Sequence, residues 1–176
     1  MNHSRLKNLT ISAMLVALSF ILPYFVPPVV LPLWTMTLTA HVPIFISIFI
    51  SPLTAAMTTL GTALAFFLKF PANFEVTLRA ASHIVFVLLA IVLLKAGFGK
   101  KNIFQTAAFA IVISVVHALT EMLVIGIYLY LGIITNSNAS FYLFVAVGLG
   151  SFVHSLIDFA IAFTIYKTLQ KAQLVK

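Results

Sequence analysis

The chain has 176 residues, 62% of them hydrophobic and 7% charged, with a mean hydropathy of +1.18 and a net charge of +7. A soluble domain carries about 25% charged residues, so water is excluded as the main solvent and one compact membrane domain over 1–176 is expected. The basic residues sit singly or in pairs rather than on a stripe, which argues against a nucleic-acid partner. With no cysteine there is no disulfide framework, thiolate metal site or cysteine nucleophile.

Apolar stretches fall at roughly 8–26, 40–50, 53–70, 76–96, 103–131 and 141–166, and a crossing helix needs about 20 residues. The first runs into Pro23 without a small-residue cleavage site, so it reads as a retained helix rather than a signal peptide. Segment 27–39 is apolar, proline-rich and carries the single Trp34, which suggests a lid folded onto the protein. The second stretch, from His41 to Pro52, is short; either it recruits the preceding Thr-rich segment or it is a partly broken helix. The fifth and sixth are long enough to tilt or project. Segment 132–140 is an ordinary polar turn. No internal repeat is evident, which gives no support to an inverted-repeat transporter.

With six spans, Arg5 and Lys7, then Lys95, Lys100 and Lys101, then Lys167, Lys171 and Lys176 all fall on one side. The positive-inside rule makes that side the cytoplasm. The expected architecture is therefore an all-α membrane protein of six transmembrane helices with both termini cytoplasmic.

Ionisable residues inside spans raise a functional hypothesis by default. Helix four carries Glu75, Arg79 and His83, helix five His117 and Glu121, helix six His154 and Asp158, each at four-residue spacing. Residues at i and i+4 share a face, so each helix has one polar stripe that should turn inward. Arg79, His83 and Glu121 are placed in the outer half beneath Trp34, with His154 and Asp158 at or below the floor. Blander roles compete. Glu75 and Arg79 neutralise each other or Arg79 meets a ligand; His117 with Glu121, and His154 with Asp158, serve as interhelical glue. His41 caps the second helix, and Trp34 and Tyr128 form part of an interfacial aromatic belt. No nucleophile elbow, P-loop or His-Glu-x-x-His helix is present, so no enzyme is expected. His83, His117 and His154 lie on three helices without a tight pair on any one, so no metal is expected either.

On length, topology and the apolar first outer loop, the chain resembles the substrate-binding S-components of energy-coupling factor (ECF) vitamin transporters. Ala13-Met-Leu-Val-Ala17 on the first helix looks like that family's Ala-x-x-x-Ala motif for docking on the transmembrane coupling subunit. Thr39-Ala-His41-Val-Pro43-Ile-Phe-Ile and Leu78-Arg79-Ala-Ala-Ser82-His83-Ile look like the niacin-type members. The resemblance implies a multi-pass cell-membrane subunit that binds a vitamin, niacin first, in an outward-facing cavity. Arg79 would fork onto the carboxylate, His83 or Glu121 would meet the ring nitrogen, and Trp34 would stack on the pyridine face. His41, His117 and Tyr128 complete the expected site, and Ala13 and Ala17 the docking face. No cofactor is implied; a coupling protein and two ATPases would supply the energy from ATP. Pyridoxine or a hydroxymethylpyrimidine-like precursor also suits Glu121 and the histidines. A stand-alone proton-coupled transporter using His117, Glu121 and Asp158 is the rival.

Overall fold

The computed structural model describes residues 3–25, 29–31, 34–36, 41–99 and 102–175. Its helices follow the six apolar stretches: α1 His3–Phe25, α2 Val42–Ile50, α3 Pro52–Lys69, α4 Phe74–Lys95, α5 Ile103–Tyr130 and α6 Ala139–Lys171. Three of them, α4, α5 and α6, are long and apolar enough to cross a membrane, and α1 contributes a shorter apolar helix over Leu6–Leu22. Between α1 and α2, strands β1 Val29–Leu31 and β2 Trp34–Met36 pair antiparallel, with Val30 opposite Thr35. The stiff apolar loop thus has a folded backbone. β2 lies against the start of α6.

The bundle is inside out relative to a soluble protein. Its exterior carries Leu, Ile, Val and Phe on every long helix, including Met14, Leu60, Leu88, Leu123 and Val153. Its interior holds Ser12, Ser19, Ser47, Thr54, Thr58, Thr59, Thr62, Ser114, four histidines, Glu121 and Asp158. A membrane-type solvent accounts for both halves of this pattern, because lipid gives apolar side chains no reason to hide. Many of the interior hydroxyls bond to a carbonyl one turn back: Ser19 donates to Leu15, Thr59 to Ala55 and Thr62 to Thr58.

The second stretch carries a short helix, and residues 37–40 of the Thr-rich segment before it lie outside the described residues. α2 has nine residues, about 14 Å at 1.5 Å per residue, against a hydrocarbon core of about 30 Å. Pro43 stands in its first turn, and Ser51, in extended conformation, ends it. The Ser51 hydroxyl then accepts the Thr54 N–H at 3.0 Å, starting α3 one residue later. Val42 through Ile48 are all buried, because α2 packs against α1, α3, α4 and α6. It is the bundle's central strut.

Below the level of the histidines the interior is aromatic. Phe45 meets Phe86 and Phe159 at centroid distances of 5.4 and 5.7 Å, Phe109 meets Phe159 at 6.0 Å, and Phe49 stacks on Tyr166 at 4.9 Å. These rings come from α2, α4, α5 and α6 and close the bundle beneath the polar centre.

α1 divides into two faces. Ser12, Leu15 and Ser19 are buried, whereas Ala13, Met14, Ala17 and Leu18 are exposed. The helix docks on α3 at Gly61, where an added Cβ would lie 2.6 Å from a Val16 methyl carbon. Val16 is β-branched and cannot swing away. Gly61→Ala should therefore cost about 1–3 kcal/mol, read as a lowered thermal midpoint in detergent, and Val16→Ala in the same chain should restore most of it. An unchanged midpoint in the single variant would show that the α1–α3 contact is looser than described.

Candidate functional site: a buried imidazole and carboxylate cluster

Four of the chain's five histidines meet at one point. His41 stands at the head of α2, His83 on α4, His117 on α5 and His154 on α6. The His41 ring centroid lies 4.5 Å from His83, 4.8 Å from His117 and 4.5 Å from His154, and His83 lies 4.9 Å from His117. All four are at least 93% buried.

Glu121 holds one side of the group. Its Oε2 accepts from the Arg79 guanidinium at 2.8 Å and from the Ser151 hydroxyl at 2.5 Å. Its Oε1 faces inward, 3.5 Å from both His83 Nε2 and His117 Nε2. The carboxylate therefore joins α4, α5 and α6. Arg79 pairs with Glu121 on the neighbouring helix, a partner that neither the Glu75 reading nor the ligand reading named. The Arg79 side chain keeps 22% of its surface exposed while Glu121 keeps 5%, so Arg79 marks the rim and the imidazoles the interior.

Asp158 holds the other side. Its Oδ2 lies 3.2 Å from the His41 backbone N–H, 3.2 Å from His41 Nδ1 and 3.4 Å from His154 Nε2. His41 occupies the N-cap position of α2 but makes no side-chain cap bond. The capping role expected for it is thus corrected: its ring turns into the bundle, bridging Asp158 and His154 through Nδ1 and His83 through Nε2, at 2.5 Å to His154 and 3.2 Å to His83. His154 and Asp158 do link helices, as expected, and they link them through His41.

The expected site residues divide as follows. Arg79, His83, Glu121, His41 and His117 come together. Tyr128 stands apart, half-buried and two turns beyond Glu121 on α5, about 10 Å along the axis. Trp34 contributes its backbone to β2, while its side chain, like all of Thr39, lies outside the described residues. Ala13 and Ala17 are on the outer face of α1, away from the cluster. Ser151 was not anticipated. It lies three residues before His154 and completes a buried stripe with Ser155 and Asp158, a spacing that the sequence does display. What the sequence hides is the π-helical stretch Tyr142–Leu149 just before it. That stretch widens the helix and re-phases the residues that follow. Gly148 within it lets α6 approach α5, since a Cβ there would come within 2.6 Å of Met122 Sδ, next to Glu121.

The fold and this centre define a class: a helical bundle of membrane character with a polar, ionisable core over an aromatic floor. No family model, curated protein or solved structure matches the chain.

Removing one member of a buried ion pair leaves the other charge uncompensated, at a cost of about 3–5 kcal/mol. Glu121→Leu should therefore lower the thermal midpoint sharply. Arg79→Met together with Glu121→Leu should recover most of that loss. Equal midpoints for Glu121→Leu and wild type would mean that the Arg79–Glu121 pair is not formed in the bilayer.

Proposed function

We propose that the chain is the substrate-binding subunit of an ECF-type vitamin importer, with six membrane crossings, cytoplasmic termini and nicotinate as its cargo. The observation that carries the proposal is the Arg79–Glu121 pair at the rim of a buried imidazole cluster. A guanidinium that is partly open and already turned towards a carboxylate can exchange that partner for the carboxylate of a small anion, with bidentate geometry. The imidazoles behind it supply donors and acceptors for a ring nitrogen. The same side chains would also suit pyridoxine or a hydroxymethylpyrimidine, and competition between the three ligands ranks them.

The aromatic floor supports the same reading. A solute entering from the Arg79 side meets Phe45, Phe86, Phe109 and Phe159 beyond the cluster, and these packed rings leave a small rigid bundle no obvious through-route. Delivery by reorienting the whole subunit on a coupling partner suits such a bundle. The exposed Ala13 and Ala17, one turn apart, offer the close-approach surface a partner helix needs. ATP would be hydrolysed by partner ATPases, and this chain would hold no nucleotide.

A second reading has its own observation. Glu121, His83, His41, His154 and Asp158 form an unbroken series of contacts of 3.5 Å or less, which suits a proton-coupled stand-alone transporter. Against it, the phenylalanine layer closes the bundle beneath Asp158.

Calorimetric titration of the detergent-solubilised chain with nicotinate tests the first reading. Arg79→Ala should weaken binding by at least tenfold while leaving the protein monodisperse; equal affinities would remove Arg79 from the site. Ala13→Trp or Ala17→Trp should leave nicotinate binding intact and abolish both cellular uptake and co-purification of a coupling protein with its ATPases. Uptake by the wild-type chain alone in proteoliposomes, driven by a proton gradient, would instead establish the second reading.

A further inference from the structure

We propose that His41, His83, His117 and Glu121 form a binding site for one divalent first-row transition-metal ion of the zinc class. One donor atom from each of the four lies within 4.8 Å of every other. Zinc binds imidazole nitrogen and carboxylate oxygen at about 2.0–2.2 Å, so two tetrahedral ligand atoms stand roughly 3.3–3.5 Å apart. Three edges of the group already have that length: His41 Nε2 to His83 Nε2 at 3.2 Å, His83 Nε2 to Glu121 Oε1 at 3.5 Å, and His117 Nε2 to Glu121 Oε1 at 3.5 Å. Three imidazole nitrogens and one carboxylate oxygen are a donor set that zinc, cobalt and nickel accept, and that calcium and magnesium do not favour.

The partners behind the donors are arranged as a metal centre needs. Metal-bound histidines give their second nitrogen to a carboxylate, which fixes the tautomer. His41 has that arrangement: Nδ1 faces Asp158 at 3.2 Å and His154 at 2.5 Å, and Nε2 faces the centre. Glu121 is divided in the same way, with Oε2 occupied by Arg79 and Ser151 and Oε1 turned inward. Both ring nitrogens of His117 are buried without a hydrogen bond, as is His83 Nδ1. Buried polar atoms of this kind are rare unless something absent from the protein itself engages them. An ion at the centre would engage His117 Nε2 together with His41 Nε2 and His83 Nε2.

The inference goes beyond the vitamin reading and stands on the donors alone, so both are measured on one preparation. The full-length chain, purified in detergent and stripped of metal, is titrated with Co²⁺ and then with Zn²⁺. The expected result is one Co²⁺ per chain, with the visible absorption of a low-coordinate nitrogen and oxygen site, displaced by one Zn²⁺. His83→Ala and His117→Ala should each weaken Co²⁺ binding at least tenfold. Asp158→Asn keeps the side-chain volume and touches no metal, so it guards against misfolding of the alanine variants; it should weaken binding about 10–100-fold. His3→Ala should change nothing. Stoichiometry well below one in the wild type, or loss of the ion in His3→Ala with retention in His83→Ala, overturns the proposal. Nicotinate binding without Co²⁺ binding overturns the metal site alone. Co²⁺ binding without nicotinate binding overturns the vitamin reading and leaves the metal site standing.

Discussion

Everything in the upper half of this bundle turns on the Glu121 carboxylate. An ionised group in an apolar interior costs several kcal/mol unless it is paired and hydrogen-bonded, and Glu121 meets that requirement with groups from three helices. Arg79 and Ser151 take one oxygen, and His83 and His117 flank the other. The helices cannot slide by a turn without breaking these bonds. The carboxylate therefore sets the register of α4, α5 and α6 in a way that interchangeable apolar side chains could not. Asp158 does the same for α2 and α6 through His41.

This polar register matters because the hydrophobic effect is a weak organiser of the bundle's outer layer. Leucines on the outside of α3, α4 and α5 are as content in lipid as in contact with a neighbour. Association must come from close packing and from hydrogen bonds. The structure supplies the first at Gly61 against Val16 and in the phenylalanine layer. It supplies the second at the cluster, through Glu121 and through Asp158 with His41. The two zones are stacked along the bundle, polar above aromatic, so a ligand's chemistry and the seal behind it are separate parts of one interior.

Part of this was legible from residue spacing. Apolar length located the helices within a few residues, and the i, i+4 pattern in Glu75, Arg79, His83, in His117 and Glu121, and in His154 and Asp158 identified inward faces before any contact was known. The pairing across helices was not legible. Arg79 chooses Glu121 over Glu75 because helix packing brings them within 2.8 Å, and nothing local encodes that distance. His41 looked like a cap because it precedes Val42-Pro43, yet its partners lie 42, 113 and 117 residues away. The same limitation hid the histidine convergence: residues on separate helices argue against a metal only while the helices are considered one at a time. Ser151 was missed for a different reason, since a serine within an apolar helix is common and the π-helical stretch that aims it leaves no compositional trace.

The position of α2 connects these pieces. It is too short to cross a bilayer by itself, and every residue from Val42 to Ile48 is buried. Its head presents His41 to the cluster, its middle presents Phe45 to the aromatic floor, and it contacts α1, whose far side carries Ala13 and Ala17. A fully buried strut of this kind has no solvent or lipid face on which to yield. A shift of His41 is borne by packed side chains on all sides. Dense interiors transmit such shifts rather than absorb them. α2 thus packs against both the cluster and α1, and the break at Ser51 sets its direction apart from that of α3.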